Sequence, residues 1–179
     1  MVSLRKFQFS DFADVYAIYS DAVEKGTGSY ETEPPTMTDM RGRLTMLIAQ
    51  GFPLIVAVEG DQVLGYAYGS YFRTRPAYRW MVEDSIYIAE EARGQGIGKL
   101  LLSELIKQCT ALGFRQMVSV IGDAEGNFGS VRLHESLGFI ECGRIKGSGF
   151  KHERWLDTLL MQFELNEGDK VPANKPPFA

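Results

Sequence analysis

The chain predicts a mixed α/β domain (α+β in its hairpin portions), with helices on both faces of one sheet, and three observations carry that prediction. Apolar residues alternate in some stretches and recur every third or fourth position in others, giving the order β-α-α-β-β-β-α-β-α-β-β. Residues 82–89 read as a strand that runs through a glycine-rich turn, residues 93–99, into a long amphipathic helix. Such a strand–helix–strand unit implies a right-handed parallel crossover, whereas hairpin signals on either side imply antiparallel neighbours. A sheet built of both kinds is mixed and needs covering on both faces.

The elements follow in order. Residues 2–9 alternate weakly as a first strand. Ser10 is a good N-cap and Asp11 suits the first turn of the helix that follows. In that helix Phe12, Val15, Tyr16, Tyr19, Ala22 and Val23 share one face, and Gly26 ends it. Residues 27–35 finish in Pro34-Pro35 and cannot be helical. A second helix fits residues 38–50, with Leu44, Leu47 and Ile48 inward and Gly51 as its stop. Residues 52–59 and 62–72 form a hairpin about Gly60-Asp61, and a basic link, residues 73–79, leads to the central strand. After the glycine turn, Ile97, Leu101, Leu105, Cys109 and Leu112 mark the long helix, closed by Gly113. A short strand at 114–121, a loop at 122–129, and a short helix at 130–137 stopped by Gly138 come next. Strands at 139–145 and 155–165 end the domain, with a polar loop expected at 146–154. Residues 1–165 thus read as a single domain, and 166–179 as a polar, proline-bearing tail, frayed or laid over a neighbour.

Composition narrows the function. A chain of 179 residues with 45% hydrophobic and 23% charged side chains buries one ordinary core. Nineteen Lys+Arg against 23 Asp+Glu leave a net charge of −4, with no basic stripe for nucleic acid. No apolar run reaches the ~18 residues of a membrane span, and no leader pattern opens the chain. Cys109 and Cys142 form no C-x-x-C and read as buried free thiols, which suits the cytoplasm. Two histidines, His134 and His152, stand outside any ligand spacing, so no metal is expected.

The turn Arg93-Gly94-Gln95-Gly96-Ile97-Gly98-Lys99 is an anion cradle in the making. First-turn amides of a helix lack intrahelical partners, the helix dipole favours negative charge, and glycine lets a ligand come close to the backbone. A Walker A loop fails here, because Arg93 stands five positions before Gly98 and Leu100 follows Lys99. The dinucleotide fingerprint fails at Lys99, where a small residue is needed. What remains is Arg-x-x-Gly-x-Gly across Arg93, Gly96 and Gly98. One strand earlier, Glu83 and Asp84 both offer a carboxylate, on opposite faces, and periodicity alone does not say which enters a cleft.

The glycine signature, together with the element order up to about Leu165, resembles the GNAT superfamily of acyl-coenzyme A-dependent N-acyltransferases. A narrower resemblance rests on four separated stretches. These are Tyr30-Glu31-Thr32-Glu33-Pro34-Pro35, Glu83-Asp84-Ser85-Ile86-Tyr87, Ser130-Val131-Arg132-Leu133-His134-Glu135-Ser136-Leu137-Gly138-Phe139, and Gly149-Phe150-Lys151 followed by Arg154-Trp155-Leu156-Asp157. They are similar to the phosphinothricin and methionine sulfoximine N-acetyltransferase branch.

That resemblance implies a central sheet splayed beside its central strand, and acetyl-coenzyme A as co-substrate without a metal. It implies backbone contacts to the pantetheine arm at Ile86, Tyr87 and Ile88, and a pyrophosphate seat at Arg93, Gly94, Gln95, Gly96, Ile97, Gly98 and Lys99. It singles out Glu83 over Asp84 as the base that takes the amine proton. Many members carry an asparagine followed seven residues later by a tyrosine that serves the departing thiolate; Asn127 fits, but His134 stands in the tyrosine's place. Histidine can donate a proton or serve as a second base. The implied reaction is acetylation of the α-amino group of a small amino-acid analogue, by direct transfer in a ternary complex. The analogue's carboxylate would meet the forked guanidinium groups of Arg73 and Arg75, while Tyr30 and Glu31 would wall the pocket. Lys151 and Trp155 fit either that pocket or a contact in a homodimer, a state common in the branch. The competing readings are an acetyltransferase for peptide or protein N-termini, and a non-catalytic coenzyme A sensor.

Overall fold

A computed structural model describes residues 1–173 and 176–178. In chain order the elements are β1 (Ser3–Lys6), α1 (Phe12–Lys25), α2 (Met37–Ala49), β2 (Leu54–Glu59), β3 (Gln62–Tyr71) and β4 (Met81–Ile88), then α3 (Ile97–Leu112), β5 (Gln116–Gly122), α4 (Phe128–Ser136), β6 (Ile140–Lys151) and β7 (Arg154–Glu164). The seven strands form one sheet in the order β1-β2-β3-β4-β5-β7-β6. Only β4 and β5 are parallel; every other neighbouring pair is antiparallel. The mixed sheet follows from the connections: hairpins join β2–β3 and β6–β7, and α3 carries the chain from β4 to β5.

Helices cover both faces, as neighbouring residues of β4 show. The Tyr87 ring meets Tyr19 of α1 edge-on at 5.0 Å, whereas the Ile86 side chain lies beside Gly98 of α3. Successive strand residues point to opposite faces, so α1 and α3 lie on opposite sides of the sheet. The core between the layers includes Val15, Val56, Tyr66, Val82, Leu101, Leu105 and Phe114, all essentially sealed from solvent.

The central feature is where pairing stops. β4 and β5 are in register only from Met81↔Gln116 to Asp84↔Ser119. Past that point β4 continues on β3 as far as Gly65↔Ile88, while β5 continues on β7 as far as Gly122↔Thr158. The sheet splays there, and over residues 85–88 the edge of β4 that faces away from β3 has no strand partner, so Ile86 and Ile88 turn their backbone groups to the gap.

Three expectations need correction. The stretch 146–154 is not a loop: β6 runs to Lys151, and a tight turn at His152 and Glu153, with φ of 48° and 59°, leads straight into β7. Paired positive φ in a two-residue hairpin is ordinarily signalled by Asn-Gly or Asp-Gly, and His-Glu carries no such mark. Cys142 is exposed, because β6 is the outer strand of the sheet; Cys109 is buried as expected. The first helix has no serine cap: a 3-10 turn, Phe9–Asp11, precedes it, and Asp11 pairs instead with Arg5 at 2.7 Å and with the Gln8 amide at 2.8 Å.

Of the tail, residues 174, 175 and 179 lie outside the described residues. The remainder rests on its own domain. Arg115 donates to the carbonyls of Gly168 and Val171, Asn166 donates to those of Thr110 and Phe114, and Phe178 meets Phe52 and Phe114 edge-on.

Candidate active site

The gap between β4 and β5 opens into a cleft of about 830 Å³ bounded by the α3 N-terminus, α4 and the loop after α1. At one end lies the glycine turn. Gly96 caps α3 at φ 80° with no side chain bonded to the first-turn amides; the Lys99 amide donates to the Gly96 carbonyl at 3.1 Å, and those of Ile97 and Gly98 are left for a ligand. Nothing crowds a Cβ built on Gly94 or Gly96; the left-handed backbone, not space, makes glycine the fitting residue at both. Gly98 differs, since its Cβ would press to 3.1 Å from Leu133 of α4. Arg93 and Lys99 flank the turn as exposed cations, with Arg93 Nε reaching the Ile88 carbonyl at 3.4 Å. An anion with a long, amide-bearing arm suits such a seat: charge at the amides, arm along the unpaired edge of β4.

Farther along β4, Glu83 is half-buried and lines the cleft. Burial and the neighbouring Asp84 charge push its carboxyl up to about 7, which makes it a base poised near neutrality. Asp84 turns the other way and is 5% exposed. Its Oδ2 lies 3.0 Å from His134 Nε2, while His134 Nδ1 donates to the Ser130 carbonyl at 2.7 Å. His134 is 1% exposed, sits in the last turn of α4, and packs edge-on against Phe139. Burial disfavours its cation, but the Asp84 hydrogen bond and charge, helped by the Ser130 carbonyl, hold its pKa above the ordinary histidine value.

The far wall is fixed by side chains from distant parts of the chain. Asn127 donates to the Gly122 carbonyl at 2.6 Å and to Thr27 at 3.1 Å, tying the end of β5 to the loop after α1. Tyr30 fills the space over Gly122 and Gly149, and its hydroxyl donates to the Asp157 carbonyl at 2.8 Å. Lys151, 5% exposed, donates to the Ser29 carbonyl.

The cleft thus gathers Glu83, Ile86, Tyr87, Ile88, Arg93, Gly94, Gly96, Ile97, Gly98, Lys99, Asn127, His134 and Tyr30. The Gln95 side chain folds back onto the Glu91 carbonyl, away from the lining. Glu31 pairs with Arg43 at 2.5 Å behind the wall. Arg73 and Arg75 do not line the cleft; they stand exposed on the β3–β4 connection, with Arg73 over the rings of Phe72 and Tyr78. Sequence reasoning missed Tyr68, Ser85, Ser119 and Thr158 in the lining, and the Asp84–His134 contact. The alternation of β3 and β4 could have offered Tyr68 and Ser85, but nothing local links residues 50 apart. Among the described residues no group of three or more His, Cys, Asp or Glu could hold a metal.

Comparison with known proteins gives concordant results. Residues 13–139 match the sequence model of the acetyltransferase (GNAT) family. The chain is 44% identical over 167 residues to phosphinothricin N-acetyltransferase of Alcaligenes faecalis, covering 93% of this chain and 84% of the relative. It is 34% identical over 171 residues to L-methionine sulfoximine/L-methionine sulfone acetyltransferase of Pseudomonas aeruginosa, covering 95% and 98%. A crystal structure of a GNAT superfamily phosphinothricin acetyltransferase from Sinorhizobium meliloti in complex with acetyl-coenzyme A superposes with a TM-score of 0.95 at 47% identity, over 99% of this chain and 95% of that one.

Proposed function

The chain belongs to the acetyltransferase (GNAT) family as an acetyl-coenzyme A-dependent enzyme, and on that footing we propose that it acetylates the α-amino group of a small amino-acid analogue of the phosphinothricin, methionine sulfoximine or methionine sulfone type. The observation that carries this reading is a carboxylate poised near pH 7, Glu83, in the same cleft as a glycine-rich anion seat. An α-ammonium group with a pKa of roughly 8 is mostly protonated at neutral pH and cannot attack a carbonyl. Glu83 takes that proton, directly or through one water, and frees the nitrogen lone pair.

Bound acetyl-coenzyme A supplies the acetyl group as a thioester. The amides and cations of residues 93–99 hold its diphosphate, and the open edge of β4 along Ile86, Tyr87 and Ile88 holds its arm. As the N–C bond forms, the C–S bond breaks and its electron pair leaves on sulfur. Transfer is direct. Burial pushes the Cys109 thiol up to about 12, which keeps it un-ionised, and the exposed Cys142 stands on the outer strand, away from the cleft lining.

Arg73 and Arg75, exposed on the connection that leads into the Glu83 end of β4, receive the substrate carboxylate. Tyr30 walls the acceptor side, braced from behind by the Glu31–Arg43 pair. The reading includes a homodimer, supported by Ile145, Phe150 and Trp155, which leave apolar surface exposed along the β6–β7 hairpin. It also places the reaction in the cytoplasm, where unpaired thiols such as Cys109 and Cys142 persist.

The test is release of free coenzyme A thiol across a panel of amines. Turnover on phosphinothricin or the methionine analogues, well above that on peptides with free N-termini, is the expected result. A preference for peptides would replace the proposed substrate class, and no release with any amine would reject catalysis.

A further inference from the structure

The mutual geometry of Asp84, His134 and Ser130 places two protons among them, and their placement points to a role for Asp84. A backbone carbonyl only accepts, so His134 Nδ1 carries a hydrogen for Ser130. If Nε2 were bare and Asp84 ionised, two lone pairs would face each other at 3.0 Å with both side chains 1% exposed and no water to intervene. The contact therefore holds a proton. We propose that Asp84 is a positioning residue that keeps His134 doubly protonated and fixed in orientation, so that a cationic ring lines the cleft on the face of β4 opposite Glu83.

This rests on the acetyltransferase reading above and divides the labour within it. A ring already carrying both protons cannot accept the amine proton, which leaves that task to Glu83. Both ring N–H groups are committed, so what His134 offers a departing thiolate, as negative charge develops on sulfur and the C–S bond breaks, is the positive end of a fixed ion pair and not a proton. Asp84 acts through His134: Oδ1, its other oxygen, is buried without a hydrogen-bond partner.

The surroundings support a held proton. The titratable groups around the pair are Cys109 on α3, which feels the Asp84 charge, and Glu83, next to Asp84 in sequence but on the other face of the strand. Ser119 of β5 lies beside Asp84 in the sheet, the Ser130 carbonyl faces the ring from α4, and Phe139 packs on the ring's edge. Burial pushes the Cys109 thiol toward its neutral form, so it brings no charge to the pair.

The experiment is a pH titration of the histidine ring nitrogens by NMR. With only His134 and His152 in the chain, the two signals are readily told apart by substituting the exposed His152. In the wild type, His134 should stay doubly protonated above the ordinary histidine value of about 6.5. Asp84→Asn preserves shape and offers an N–H to a bare Nε2, so it should hold the ring while removing the proton. Its kcat should fall by about tenfold or more near pH 8 while the KM for acetyl-coenzyme A changes by less than about twofold. A wild-type His134 that loses its second proton at or below the ordinary histidine value of about 6.5 would overturn the proposal, as would an Asp84→Asn enzyme with unchanged kcat and pH profile. The wild-type titration decides even if the variant fails to fold. Glu83→Gln separates the two readings, since it removes the proposed base yet should leave the His134 titration in place.

Discussion

Replacing Glu83 by glutamine is the most revealing perturbation, because it should move activity and stability in opposite directions. Burial, reinforced by Asp84, raises this carboxyl from 4.5 to about 7. An acid whose folded pKa exceeds its unfolded value binds its proton more tightly when folded. Folding is therefore favoured most below the unfolded value, near 4.5, and loses ground as pH rises to about 7. Above that window the accumulated cost is at most about 3 kcal/mol, taking 1.36 kcal/mol per pH unit. Solvent access to the half-buried group reduces it, so a gain of roughly 1–3 kcal/mol is expected for Glu83→Gln near pH 8 and almost none near pH 4. For a chain of this size that is a rise in Tm of several degrees.

The same substitution removes the base, so turnover should fall by about 10²-fold or more while acetyl-coenzyme A still binds. In the wild type, kcat/KM for the amine should drop about tenfold per pH unit below the Glu83 pKa, and the variant should lose that limb. Thermal melts at the two pH values, paired with thiol-release kinetics, measure all of this. A variant that is less stable near pH 8, or one that keeps wild-type turnover, would refute the reasoning that Glu83 is a strained, desolvated base.

Two further substitutions test the ends of the cleft. Arg93→Ala with Lys99→Ala should raise the KM for acetyl-coenzyme A by about tenfold or more, and this KM should become less sensitive to salt than that of the wild type; an unchanged KM would place the diphosphate elsewhere. Arg73→Ala with Arg75→Ala should raise the amine KM more than the acetyl-coenzyme A KM in steady-state kinetics, and equal effects on both would point to a structural role for these arginines.

What the sequence made legible follows from range. The strand, glycine turn and helix from β4 into α3 are local, each signalled within a few residues, and the order of all seven strands and four helices could be read from periodicity. The splay between β4 and β5 could not, because where a parallel pairing stops depends on how β5 meets β7. The β6–β7 hairpin was misread because glycines and polar residues on an outer strand look like a loop, and because the turn residues His152 and Glu153 take positive φ without the usual signature. At the site, Asn127 and His134 stood out by resemblance to the family's asparagine–tyrosine register, one at the cap of α4 and the other in its last turn. The side chains that fix them in place, Asp84, Thr27 and the Ser130 carbonyl, come from a strand, a distant loop and a backbone group. For Arg73 and Arg75 the spacing puts two guanidinium groups on one side of an extended segment but says nothing of their distance from the cleft, whose walls they do not form.

A crystal structure of this protein with acetyl-coenzyme A bound tests the account most directly. It should place the diphosphate on the amides of residues 94–99 and the thioester in the gap past Asp84, with Glu83 close enough to reach an incoming amine directly or through one water. A donor seated away from the glycine turn, or a thioester shut off from Glu83 by the sheet, would contradict it.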